Sequence, residues 1–370
     1  TWGEHDVAEN ICHLVLARLP GAKPGPKGIS LFLVPKFIPN ADGSLGVRND
    51  LRCVSLEHKL GIHGSPTAVM EFSGATGWLV GEEHNGMACM FTMMNNARLA
   101  VGMQGVGVAE GAYQHALAYA MDRKQGRAPI ADGTGTIIDH ADVRRMLAQM
   151  KADIFAARSI GVACAIAIDM AKATGDADWQ ARAALLTPIA KSFGSDTGVA
   201  VADLGVQIHG GMGFVEETAA AQYLRDARIT PIYEGTNGIQ SMDLVARKMM
   251  DGGAAAFALM DDMAALASAS NSDLAKAVLA AIKQLRATTE WVVSQELNER
   301  FAGSVAYQKA FARVLGGYFH LVASMSGQSK RQRLARVYIN SLLPETASLC
   351  TQAQAGAADL YALELDDFAA

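Results

Sequence analysis

Apolar residues in the first 85 positions fall in short alternating runs such as HLVLARL and GISLFLVP, set apart by PGAKPGPKG and NADGSLG. Alternation with a period of two marks half-buried strands, and clusters of Gly, Pro, Asn and Asp supply turns. The pattern predicts a β segment over residues 1–85, in which AVMEFSGATGWLVG adds two strands around a turn and closes the same sheet. Near Met87 the period changes. Apolar residues then recur at every third or fourth position, which predicts one helix of roughly ten turns ending near Arg123. Gly102, Gly105, Gly107 and Gly111 interrupt it, each at a cost of about 1 kcal/mol relative to alanine. Close approach of a neighbouring backbone is the expected compensation.

A second helix should start near Asp139 or Asp142 and stop at Gly175. A third should run from about Asp178, through Pro188, to the IHGGMGF turn, and a fourth from about Gly238 to Met250. Together they predict a four-helix bundle over 86–250. After DGGAAA at Asp251 the chain reads as further amphipathic helices to Ala370. The expected organisation is mainly α with a β domain: part of a β-barrel or sheet domain over 1–85, the bundle over 86–250, and an additional helical domain over 251–370.

Composition narrows the class. Of 370 residues 50% are apolar and 19% charged, the balance of a well-packed globular protein. A net charge of -5 offers no basic surface to nucleic acid or an anionic membrane. No uncharged apolar run reaches the roughly 18 residues of a membrane span, and no signal peptide opens the chain, so a cytoplasmic protein without a membrane span is expected. Five scattered cysteines lack a CxxC pair and read as buried thiols. The histidines have no metal-ligand spacing, and no metal is expected. The opening TWGEHD lacks Met and reads like the middle of a longer chain.

Three stretches carry chemistry: DRKQGR at Asp122–Arg127, QIHGGMGF at Gln207–Phe214 and RDARITPIYEGTNGIQ at Arg225–Gln240. In the last, Glu234 ends an apolar, strand-like run. A carboxylate there loses hydration and must find partners or take a proton, so pairing with Arg225 or Arg228 is the alternative to a chemical role. Taken singly, an arginine ending a helix is a cap and a GGxG loop is a turn.

In this order and spacing the three stretches resemble the acyl-CoA dehydrogenase family over residues 1 to about 250. The helices after Asp251 resemble its longer members, the 3-methylmercaptopropionyl-CoA dehydrogenase type. The resemblance implies a middle β domain, a C-terminal four-helix bundle and an N-terminal helical domain upstream of Thr1. It implies FAD as cofactor and oxidation of an acyl-CoA thioester to the 2-enoyl-CoA. Glu234 would take the α proton while flavin N5 accepts the β hydride, and burial would raise the carboxyl toward that task. Some relatives place the base just before the arginine of AR; that position is Ala97 here, which leaves Glu234.

The same resemblance carries Arg123 and Gln125 to the pyrophosphate of a flavin held mainly by a neighbouring subunit. Gln207, Gly210 and Gly211 go to its adenine-nucleotide half, and Thr236, Asn237 and Gly238 to the same cofactor. Arg98, Asn95 and Gly235 go to the acyl-CoA pocket, with Asn95 in place of the family's usual aspartate. A Ser or Thr of LEHKLGIHGSPT, Leu56–Thr67, would lie near substrate. Implied partners are the acyl-CoA, an electron-transfer flavoprotein or similar acceptor, and further copies of the chain in a homodimer or higher homo-oligomer. Two alternatives stand beside this: an inactive or structural fragment of such an enzyme, and a DNA-associated flavoprotein of the same superfamily. Ten Lys and Arg against eleven Asp and Glu after Asp251 argue against the second.

Overall fold

The computed structural model describes residues 8–369, so the opening TWGEHD lies outside the described residues. The chain forms two compact units, 1–97 and 98–370. In the first, β1 (Cys12–Arg18) pairs antiparallel with β2 (Ile29–Pro35). The short β3 (Phe37–Pro39) and β4 (Leu45–Arg48) pair with each other, as do β5 (Leu51–Leu56) and β6 (Ala68–Phe72), and β7 (Trp78–Val80) joins the free edge of β2. One closed sheet was expected; three small ones form instead.

AVMEFSGATGWLVG does form two strands around a turn, but β6 and β7 join different sheets, because Asn49 captures the segment between them. Its side-chain amide donates to Pro35 O and Thr76 O, both at 2.8 Å, and its Oδ1 accepts from Thr76 N at 2.8 Å. Two strands that follow one another in sequence are thereby sent to different partners. LEHKLGIHGSPT is mostly loop, folded over Lys59, whose Nζ donates to Ile62 O at 3.1 Å. The expectation of five buried thiols is corrected as well. Cys164 and Cys350 are buried, but Cys12 is exposed and Cys53 and Cys89 are half-buried; Cys12 and Cys53 lie on strands, where residues alternate between the two faces, and Cys89 lies in the first turn of the helix that follows.

Helix α1 (Gly86–Asp122) fulfils the long 3.6-residue period, and α2 (Ala141–Thr174) and α3 (Ala177–His209) follow. Gly175 ends α2 in the left-handed conformation, and Asp176 caps α3 by accepting from Asp178 N at 2.7 Å. The glycines of α1 meet those of α3. A Cβ on Gly102 would lie 2.6 Å from Ala190 O, one on Gly105 would collide with Gly194 O, and one on Gly198 would lie 2.9 Å from Gly105 O. Gly111 faces the Tyr223 ring, whereas Gly107 faces open space.

A pair of substitutions tests this seam. Gly105→Ala should destabilise by about 1–3 kcal/mol through overpacking, while Gly107→Ala should stabilise by up to about 1 kcal/mol through helix propensity. Denaturant midpoints compare the two directly.

By length and hydropathy α2 qualifies to cross a membrane, although Arg158 and Asp169 interrupt its apolar run. Core helices pass the same test, and Met150, Ile154, Ile160 and Cys164 on α2 are buried in the unit's apolar core. The short α4 (Ala220–Ala227) and α5 (Asn237–Val245) follow. The strand-like run before Glu234 is instead a series of turns between them, since Thr230 Oγ1 and Ile232 N bond back to Ala227 O and Ile229 O. The predicted fourth helix stops at Val245, and Arg247–Met249 is a 3-10 turn.

Beyond Asp251 come α6 (Ala254–Ser268), α7 (Asp273–Ser294), α8 (Leu297–Ser324), α9 (Ser329–Val337) and α10 (Glu345–Ala353). Helix α8 lies against α2, α3 and α5. Its Gln308 donates to Pro188 O at 2.9 Å and accepts from Ser241 Oγ at 2.6 Å, tying α3 and α5 together beside the candidate site. One turn further on, Arg313 is buried between Asp153 of α2 and Glu345 of α10.

Candidate active site

The turn between α4 and α5 closes through Asn237 N, which donates to Pro231 O at 3.0 Å. Thr236 then caps α5, its hydroxyl accepting from Ile239 N at 3.2 Å. Inside this turn Glu234 has φ +56° and Gly235 φ +84°. Gly235 reaches that region freely, but Glu234 is strained there, as residues at functional sites often are. Its side chain is half-buried. Among the described residues none hydrogen-bonds or ion-pairs with its carboxylate, and Arg98 and Lys191 act on it through space. The alternative partner Arg225 is held bidentate by Glu216 at 2.7 and 2.8 Å.

Support comes from below. Lys191 of α3 is 0% exposed and donates to Gly235 O at 2.9 Å and Asn237 Oδ1 at 2.8 Å. The Asn237 amide donates to Asp196 Oδ1 at 2.7 Å and Ser195 Oγ at 3.0 Å. Gln240 Nε2 donates to Glu234 O at 3.3 Å. Burial pushes Lys191 down to about 8, with Asp196 opposing.

Arg98 is buried and pairs with Asp243 at 3.7 Å, and Asp243 is also held by Arg247. Burial lowers Arg98, and Asp243 and Glu234 counter it. A Cβ on Gly235 would lie 2.8 Å from Gln240 Nε2 and 3.9 Å from Arg98 Nη2, so Arg98 underlies the Glu234 turn. Asn95 is exposed one turn earlier on α1.

A second site gathers Arg123, Gln125, Gly210 and Gly211 around a cleft of about 380 Å³, with Tyr119 and His209 in its wall. His140 holds the carbonyl of Gln125 at 2.9 Å, which fixes the loop after α1. Gly210 has φ +61°, and no atom lies within 4 Å of where a Cβ on Gly210 or Gly211 would sit. His209 stacks between Tyr119 and His115, with centroids at 4.4 and 4.7 Å. Its Nδ1 bonds to Gly205 O at 2.7 Å, which assigns the neutral ring an Nδ1 proton. Burial pushes it below the usual imidazole range, and Nε2 is buried without a hydrogen bond among the described residues.

Gln207 is exposed and does not line this cleft, and neither do Thr236, Asn237 and Gly238. Lys191, Asp243, Gln240, Tyr119 and His209 were not among the expected site residues. Only the position of His209 inside the glycine loop hinted at it.

Residues 84–250 match the acyl-CoA dehydrogenase C-terminal domain, and residues 256–364 the acetyl-CoA dehydrogenase C-terminal-like domain. The chain carries the C-terminal domains of the acyl-CoA dehydrogenase family. Among its relatives, 3-methylmercaptopropionyl-CoA dehydrogenase of Ruegeria pomeroyi is 47% identical over 98% of this chain and 58% of that protein. A butyryl-CoA dehydrogenase of Syntrophomonas wolfei is 41% identical over 67% of this chain and 43% of its own length. The acyl-CoA dehydrogenase of Bacillus anthracis, solved with FAD, shares the fold with a TM-score of 0.74 at 22% identity, over 96% of this chain and 62% of its own. The chain thus spans about half the length of the curated relatives it matches.

Proposed function

We propose that this chain belongs to an FAD-dependent acyl-CoA dehydrogenase and that Glu234 removes the α proton of the acyl thioester on the way to the 2-enoyl-CoA. The observation that carries this reading is a strained, half-buried carboxylate that no described residue hydrogen-bonds or ion-pairs, on a turn fastened from beneath. An α proton is weakly acidic, so its base needs little competing hydration and a fixed position. Gly235 adds no side chain to the approach. Arg98 and Lys191 place two positive charges near the carboxylate.

Bound FAD would supply the hydride acceptor. The second cleft fits part of such a cofactor: Arg123 offers a guanidinium to pyrophosphate, no side chain on Gly210 or Gly211 blocks approach to the loop, and His209 Nε2 is a buried acceptor without a donor among the described residues. Glu234 does not line this cleft, which favours each chain contributing to two flavins in a homodimer or larger assembly. An electron-transfer flavoprotein or similar acceptor would take the electrons onward.

A flavin absorption spectrum of the purified protein tests the cofactor. An acyl-CoA panel with an artificial acceptor, starting from 3-methylmercaptopropionyl-CoA and butyryl-CoA, tests the reaction. Flavin-loaded protein that oxidises no acyl-CoA would overturn the reading.

A further inference from the structure

Lys191 is among the largest fully buried side chains of the chain, and proton removal by Glu234 assigns it no task. A buried ammonium is tolerated only with good partners. Both of its acceptors, Gly235 O and Asn237 Oδ1, belong to the segment that follows Glu234. That segment opens α5, and a helix N-terminus disfavours a cation. A neutral amide would make the same bonds at lower cost, so stability alone does not account for the charge.

We infer that Lys191 is a positioning residue for the base: it clamps the Glu234–Gly235 turn in its left-handed conformation and sets a fixed positive charge near the Glu234 carboxylate. The inference rests on Glu234 being the base. Gln240 holds the carbonyl of Glu234 from the other side, so both peptide carbonyls of the Glu234–Gly235 pair are fixed.

The charged groups facing Lys191 are Asp196 on its own helix, Arg98 on α1 and Glu234 in the turn. Asp243 of α5 pairs with Arg98, while Lys309 of α8 and Arg228 after α4 act on Asp196. Burial pushes Lys191 down to about 8 in the folded chain, from the ordinary lysine value of 10.5. Between those values the unfolded chain holds a proton that the folded chain has lost, so this group makes stability rise with pH. The clamp's charge disappears over the same window, and activity should fall while stability gains.

The test compares Lys191→Met and Lys191→Gln in the flavin-loaded protein, with Glu234→Gln as reference. Lys191→Met should lower kcat by about 100-fold through misplacement of the base, with KM within about threefold and flavin content unchanged. The acid limb of kcat/KM should move to higher pH, since loss of a nearby cation favours the protonated carboxyl. Lys191→Gln keeps a donor, so it should recover part of kcat while the limb stays displaced.

A limb unmoved in both variants overturns the inference. So does loss of folding in both, which would make Lys191 a stability residue. If Glu234→Gln is inactive while the Lys191 variants behave like the parent, this inference alone fails. Turnover surviving in Glu234→Gln sinks the base reading and this inference with it.

Discussion

Replacing Glu234 by glutamine should leave a folded, flavin-loaded protein whose acyl-CoA turnover falls by roughly 100- to 10,000-fold. Glutamine has the length of glutamate and meets the same strain at φ +56°, but its amide cannot accept the proton. The substitution strands no partner, because among the described residues none bonds to the carboxylate. Lys191 keeps Gly235 and Asn237, and Arg98 keeps Asp243. The change in stability should therefore stay within about 0.5 kcal/mol. Steady-state rates measured beside a thermal melt separate lost chemistry from lost structure; activity near the parent's would return the role of base to another group.

The largest effect on stability is expected from Arg313→Met, at about 3–5 kcal/mol. The Arg313 and Asp153 side chains are each 9% exposed, and Arg313 Nε also donates to Glu345 Oε2 at 2.7 Å. Removing the guanidinium leaves Glu345 with Lys309 at 2.6 Å, but Asp153 with a buried, uncompensated charge. Burial already pushes the Asp153 carboxyl up, and Arg313 is the main group opposing it. In the variant, folded Asp153 holds its proton at pH values where the unfolded chain has released it. Stability then falls as pH rises through that window, so the loss should be larger in mildly alkaline than in mildly acidic buffer. Adding Asp153→Leu should restore most of it, since a packed apolar pair commonly replaces a buried ion pair without penalty. Urea unfolding at two pH values measures both effects.

How much of this was legible depended on distance along the chain. The long helices were readable because their periodicity is local and continuous, and Gly175 ends a helix by chemistry within a few residues. Glu234 and Gly235 stood out because their motif is contiguous. Lys191 did not, because its partners Gly235 and Asn237 lie 44 and 46 residues away, and a single lysine on an apolar helix reads as surface. Arg313 and Asp153 are 160 residues apart, and only the packing of α8 on α2 makes them a pair. The parting of β6 and β7 into different sheets has the same origin. Asn49 reaches Thr76 across 27 residues, and turn propensity within the loop contains no trace of it. The turn before Glu234 was mistaken for a strand because Ile229, Ile232 and Tyr233 are good strand formers whose backbone is overruled by bonds back to Ala227 and Ile229.

The left-handed backbone at Glu234 also bears on how this protein can change under selection. Glycine is the residue that such a backbone prefers, and it is one that ends proton transfer. A stability screen run without an activity assay would therefore reward glycine at position 234, enriching folded but inert variants. Keeping the glutamate requires selecting for turnover itself, and a thermostabilised library of this chain should have position 234 held fixed.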